Sequence, residues 1–168
     1  MTTVTFQNKP VTLLGSRLKA GDKAAGFTVI GNDLLPVTFD ATDGKIRLIS
    51  VVPSIDTGVC SKQTQRFNEE AGELGDEVEV TTISADLPFA QARYRSAEEI
   101  GNMQILSDHR DLSFGKAYGV VIEELRLLAR AIFVIDQTGT VVYSEYVSEV
   151  TDHPDYMEAL DAVNRLKA

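Results

Sequence analysis

The sequence of 168 residues has no tryptophan, only two histidines and a single cysteine. One cysteine excludes an intrachain disulfide, and with it any cycle that runs between two sulfurs of the same chain. The histidines, His109 and His153, stand far apart and neither neighbours the cysteine in sequence. The usual ligand clusters are therefore missing, and no metal site is expected. No apolar run approaches the ~20 residues that a membrane span needs. The opening stretch, Met1 to Phe6, lacks the basic and apolar regions of a signal peptide. With one cysteine and no export signal, a reducing cytoplasm is the expected compartment. Positive charge is also in short supply. Lysine and arginine total 16 against 25 acidic residues, a net charge of −9. That balance argues against nucleic acid and an anionic membrane as partners.

What is present is ordinary enough to fold. Apolar residues make up 43% of the chain, which suffices for a core without staples. The length suits one domain over residues 1–168. Residues 3–6 and 11–14 read as a hairpin around Gln7-Asn8-Lys9-Pro10. Short strands are expected at 27–30 and 36–39. Residues 46–52, apolar on both sides, predict a central strand covered on two faces. From Cys60 to Leu74 the pattern turns helical, with Thr64, Phe67, Ala71 and Leu74 along one stripe. A strand is expected at 78–84. Asp86-Leu87-Pro88 reads as the start of a helix with Asp86 as its cap. Ser96 and Glu99 have capping-box spacing and predict a second helical piece. Strands at 103–106, 129–136 and 141–147 and a closing helix from Pro154 to Lys167 complete the reading. The class is α/β, a central mixed sheet flanked by helices with an N-terminal β-hairpin.

Cys60 carries the chemistry. It follows Pro53-Ser54-Ile55-Asp56-Thr57-Gly58-Val59, between the expected central strand and the helix after it. Helix N-termini favour thiolates, because unpaired N–H groups and the positive end of the dipole face the sulfur. A Cys-x-x-Cys pair is common at such a junction, but here Thr57 takes the first place. A hydroxyl three residues before a thiolate can orient a small oxygen-bearing substrate.

Pro53-x-x-x-Thr57-x-x-Cys60 resembles the active-site motif of peroxiredoxins. The strings 53–60, Ser84-Ala85-Asp86-Leu87-Pro88-Phe89-Ala90-Gln91 and Leu127-Leu128-Ala129-Arg130-Ala131 resemble the bacterial thiol peroxidase subfamily, and the likeness covers essentially the whole chain. The resemblance implies a thioredoxin-like fold and a homodimer. It implies reduction of hydrogen peroxide and organic hydroperoxides without metal or prosthetic group. It makes Cys60 the peroxidatic cysteine, Thr57 the hydrogen-bonding partner of sulfur and peroxide, Pro53 the shield against water, and Arg130 the group that stabilises thiolate and transition state. The sequence departs from the subfamily where a resolving cysteine is expected: the string is Tyr94-Arg95-Ser96, with Arg95 at that position. Sulfenic acid on Cys60 then has no internal thiol to condense with, and an external thiol, thioredoxin or a small one, must attack Cys60 itself.

Blander roles stand beside these. A free cysteine is often a buried structural residue. Thr57 is a good N-cap, and Pro53 could simply end the strand. Arg130 on a core strand resists such a reading, since a buried charge needs a partner. His109 reads as a solvated loop residue, His153 as part of the approach to the last helix, and Arg95 as a surface residue. Leu125, Leu127 and Leu128 read as core or interface. Two functions of different class remain open: a working peroxidase recycled by an external thiol, and a non-turnover peroxide sensor that signals through a partner.

Overall fold

The computed structural model describes residues 2–40 and 43–167. The chain opens with β1 (Thr2–Phe6) and β2 (Lys9–Leu14), an antiparallel hairpin. Its turn is two residues, not the four expected. Gln7 and Asn8 both lie in the left-handed region, at φ 52° and 65°. That pair of conformations matches the twist of the strands and lets Lys9 and Pro10 join β2.

The main sheet has seven strands. These are β3 (Thr28–Ile30), β4 (Pro36–Thr38), β5 (Ile46–Val51), β6 (Val78–Ser84), β7 (Gln104–Ser107), β10 (Ala131–Ile135) and β11 (Val141–Tyr146), in the order β11-β10-β5-β6-β7-β3-β4. β5 and β6 are parallel, as are β6 and β7; β10 runs antiparallel to β5. The sheet is therefore mixed, as expected. All six residues of β5 are buried, which accounts for its two-sided apolar run. Its one charge, Arg47, pairs with Asp43 and Glu79 and stacks on Phe39.

Helices α1 (Gly58–Leu74), α2 (Pro88–Ala97) and α4 (Tyr156–Leu166) cover one face. Phe67, Leu74, Tyr94, Leu160 and Val163 pack there against Ile46, Leu48, Val80 and Ile105. The other face meets α3 (Ser113–Tyr118) and a second sheet, in which β8 (Val121–Ile122) and β9 (Leu127–Leu128) extend the N-terminal hairpin in the order β1-β2-β8-β9. Phe27, Phe114, Tyr118 and Phe133 form the aromatic centre of that layer, with ring centroids 4.5–6.2 Å apart. Gly119 ends α3 at φ +69°, where a Cβ would stand 2.4 Å from the Ser16 carbonyl oxygen, so the contact between the layers requires glycine.

Two helix signals resolve differently from expectation. Asp86 does not cap α2; Leu87 is the N-cap residue, and Asp86 turns its carboxylate to another loop. Ser96 and Glu99 do not start a new helix. They finish α2: Glu99 is left-handed at φ 54°, and Ile100 N donates to the Arg95 carbonyl at 2.9 Å. This is a Schellman closure, and Arg95 Nε reinforces it by donating to the Ile100 carbonyl at 3.0 Å. At the last helix, Asp155 is the cap and accepts from Glu158 N at 3.1 Å.

Asp108, 2% exposed, holds the start of α3 by accepting from Phe114 N and Gly115 N. Burial pushes its carboxyl up to about 6, against the pull of those two bonds. A group raised in the folded state stabilises most below its unfolded value and loses that contribution as pH rises through about 6. We predict that Asp108→Asn is least stable relative to wild type near pH 4. The gap should narrow towards pH 8, by on the order of 3 kcal/mol. Urea midpoints of both proteins across this range check it; a gap that widens with pH would refute it.

Candidate active site

The junction after β5 is short and tied down. Val52 N donates to the Ile83 carbonyl, and Pro53 is buried at the bend that follows. The next residues are held by Asp86, whose carboxylate accepts from Ser54 Oγ at 2.8 Å, Ile55 N at 2.9 Å and Ser84 Oγ at 2.6 Å. Thr57, extended at φ −94° and ψ 153°, is the N-cap residue of α1. Its carbonyl accepts from Ser61 N at 2.9 Å, but its side chain caps nothing. The helix thus starts at Gly58, two residues earlier than the sequence suggested, and Cys60 is the third residue of its first turn. Cys60 thus lies in the first turn, where backbone N–H groups have no partner within the helix. Cys60 has no exposed surface.

Arg130 reaches it from the sheet. Ala131 pairs with Val51, so the residue just before β10 lies beside the exit of β5. The Arg130 side chain is 2% exposed and every nitrogen is engaged. Nη2 donates to Cys60 Sγ at 3.2 Å, Nη1 to Gln63 Oε1 at 2.8 Å, and Nε to the Val150 carbonyl at 2.7 Å. Gln63 is fixed in turn by donating from Nε2 to Ser50 Oγ at 2.7 Å. Among the described residues no carboxylate pairs with Arg130. The guanidinium is thus buried with two neutral oxygens and the Cys60 sulfur as its hydrogen-bond partners.

Of the four residues singled out in the sequence, the fold brings Cys60 and Arg130 into contact and places Pro53 in the buried bend before them. Thr57 stands three residues from Cys60 on the same turn, exposed, with its hydroxyl donating to the Ser54 carbonyl at 3.3 Å. A bond from that hydroxyl to the sulfur is absent among the described contacts.

Several participants escaped the sequence reading. Gln63 shares the stripe Cys60, Gln63, Thr64, Phe67, and a polar residue on a buried face was the available signal. Val150 contributes only its carbonyl, so its side chain could not have announced it. Tyr156, at the start of α4, packs on Phe67 at 5.4 Å with Arg66 over its ring. Burial raises its hydroxyl above the ordinary tyrosine value, and that hydroxyl lies 2.7 Å from His153 Nδ1. Near the expected resolving position, Tyr94 donates its hydroxyl to the Ser61 carbonyl, next to Cys60, while the half-buried Arg95 turns to Ile100.

Among the described residues no group of three or more side chains could hold a metal ion, and no helix is long and apolar enough to cross a membrane. A single sulfur at a helix start, in contact with a buried guanidinium beside a thioredoxin-like sheet, is the candidate active site. The Redoxin family model matches residues 19–160, and the chain belongs to that family. It is 63% identical over 162 residues to the thiol peroxidase of Halalkalibacterium halodurans, covering 96% of this chain and 97% of the relative. With the thiol peroxidase of Bacillus subtilis the identity is 57% over 166 residues, 99% of each chain. Among solved structures it is similar to a peroxiredoxin-like protein from Aquifex aeolicus, at 39% identity and a TM-score of 0.92, covering 99% of this chain and 98% of the other.

The Asp86 carboxylate is the tie on which the 53–56 loop depends, and its removal leaves donors on Ser54, Ile55 and Ser84 unpaired. Asp86→Ala should lose roughly 1–3 kcal/mol of stability. It should also expose the loop to limited proteolysis between residues 53 and 58. Unchanged urea midpoint and cleavage pattern would show that the tie is dispensable.

Proposed function

We propose that this chain is a peroxidase that reduces hydrogen peroxide and organic hydroperoxides at Cys60 and takes its electrons from an external thiol. The observation that carries this is the Arg130 Nη2 to Cys60 Sγ contact of 3.2 Å. In this reading the Cys60 thiolate attacks one peroxide oxygen, and the O–O bond breaks. Cys60 keeps that oxygen as sulfenic acid, and the other leaves as water or alcohol once protonated. Arg130 and the first N–H groups of α1 face the charge that develops on the departing oxygen. The Thr57 hydroxyl turns from Ser54 to the incoming peroxide, and Pro53 keeps bulk water from the sulfur.

Return to the thiol requires two external equivalents. One thiol attacks the sulfenic sulfur, forming a mixed disulfide and releasing water. A second thiol, or the second sulfur of thioredoxin, attacks the mixed disulfide and frees Cys60. Nothing within the chain can replace this step, because Cys60 is the only cysteine. We place the reaction in the cytoplasm, where such thiols are kept reduced. The resemblance to thiol peroxidases reads the protein as a homodimer, and Leu87 and Phe89, 55% and 69% exposed at the start of α2, offer apolar surface that suits a second copy.

Steady-state consumption of hydrogen peroxide, with thioredoxin and with glutathione in turn, tests the whole reading. Multiple turnovers are expected with at least one of them and none in Cys60→Ser. A single stoichiometric oxidation with neither would favour a sensor instead. Arg130→Ala should slow Cys60 oxidation about 100-fold. Arg130→Lys should recover only part of this, because an ammonium lacks the planar fork. Rapid-quench oxidation at wild-type rates in both variants would leave Arg130 a structural residue only.

Peroxide alone should raise the intact mass by one oxygen, or by more on overoxidation. Arg95→Cys asks whether a second sulfur there can reach Cys60. If the end of α2 unwinds, the oxidised variant loses two hydrogens as a disulfide forms and gains turnover with thioredoxin. Accumulation of sulfenic and sulfinic acid without a disulfide would show that the segment is fixed.

A further inference from the structure

The segment between β11 and α4 supplies the Val150 carbonyl that accepts from Arg130 Nε. This segment forms no strand of either sheet; Val147 N ties its start to the Arg130 carbonyl, and beyond that the N-terminal hairpin, at the edge of the second sheet, holds it through a parallel bridge between Thr5 and Glu149. Thr5 stands opposite Pro10 in the hairpin and turns both of its peptide groups outward. Thr5 N donates to the Ser148 carbonyl at 2.8 Å, and Val150 N donates to the Thr5 carbonyl at 2.8 Å.

Glu149, between those two residues, closes the junction. Its Oε1 accepts from Thr5 Oγ1 at 2.8 Å and from Asn8 N at 2.7 Å. Its Oε2 accepts from Gln7 N at 3.2 Å, Thr151 N at 2.8 Å and Thr151 Oγ1 at 2.6 Å. Gln7 and Asn8 are the two left-handed residues of the hairpin turn. Successive N–H groups in such a turn converge on one concavity, which suits an anion. Desolvation opposes ionisation of this carboxyl, but the bonds from Thr151, Asn8 and Thr5 outweigh it and hold the group down at about 2. The carboxylate therefore stays charged throughout the range in which the protein works.

We propose that Glu149 is a positioning residue for Arg130. It locks the turn of the N-terminal hairpin onto the 148–151 segment and so fixes the carbonyl that sets the guanidinium against Cys60. Without that carbonyl, Arg130 keeps only Gln63 and the sulfur as partners, and the fork can rotate. A charge-stabilising group displaced by a fraction of an ångström loses much of its effect on rate. The inference rests on the assignment of Arg130 to the oxidation step.

The test is a double-mutant cycle on the single-turnover rate of Cys60 oxidation by hydrogen peroxide, quenched by alkylation and read by intact mass. The four proteins are wild type, Glu149→Ala, Arg130→Ala and the double variant. Glu149→Ala should slow oxidation about tenfold when Arg130 is present. It should add nothing when Arg130 is already alanine, an outcome that a general loss of stability would not give. Glu149→Gln keeps the shape but loses one acceptor oxygen, and should show a smaller slowing with the same dependence on Arg130. It decides the matter if the alanine variant does not fold. Wild-type oxidation rates in a folded Glu149 variant, or equal slowing with and without Arg130, would overturn the proposal. If Arg130→Ala itself oxidises at the wild-type rate, the assignment of Arg130 fails and this inference falls with it.

Discussion

A guanidinium buried with no carboxylate partner among the described residues is the constraint around which this protein is arranged. Arg130 is 2% exposed, and its hydrogen-bond partners are a glutamine oxygen, a peptide carbonyl and a sulfur. Burying a cation costs several kcal/mol even after relaxation, and neutral acceptors offset only part of that. Of its three partners only the Cys60 sulfur is a reactive group, so the contact that helps to satisfy the buried Arg130 is also the one at which the proposed chemistry takes place. A carboxylate beside Arg130 would have made a better ion pair and a poorer site.

The layers of the fold meet at this contact. The sheet brings Arg130 up beside the end of β5, and α1 brings Cys60 down from above. Gln63 and Ser50 tie helix to strand on one side of the guanidinium, and Val150 holds it on the other. Asp86 performs a matching service for the loop that carries Pro53. These partners come from five separate stretches of the chain. Their convergence requires the whole α/β sandwich rather than any one motif, which is why a redox centre with a single sulfur needs a domain of this size.

How much of this could be read from sequence depended on how local the cause was. β6 was legible at both ends, Val78 and Ser84, because its β-branched run follows the turn residues Gly75 and Asp76. β5 was legible because both of its faces are covered. α3 was not, since it is only six residues long and follows a left-handed Leu112 rather than a conventional cap. β8 and β9 are two residues each, too short for any periodicity. Asp86 and the Ser96–Glu99 pair were misread for a shared reason: their side-chain types suit helix starts, but tertiary partners claimed Asp86, and Glu99 took the left-handed place that ends a helix. Within the site, Cys60 and Thr57 were legible from their place at a helix start, while the roles of Pro53 and Arg130 came from the resemblance. The sequence had no means of showing the Cys60–Arg130 distance, or that a backbone carbonyl at residue 150 would matter.

The complete burial of Cys60 separates its two reactions in time. In the proposed cycle a peroxide, a few ångströms across, has to part only the 53–57 loop to meet the sulfur, whereas a protein thiol is far larger and calls for the first turn of α1 to swing clear. That turn begins at a cap residue whose side chain makes no capping bond, with glycine next to it, so it is the least anchored part of the helix. The burial that admits the small oxidant thus asks more of the large reductant, and the time a sulfenic acid waits for repair would be set by how readily that turn opens.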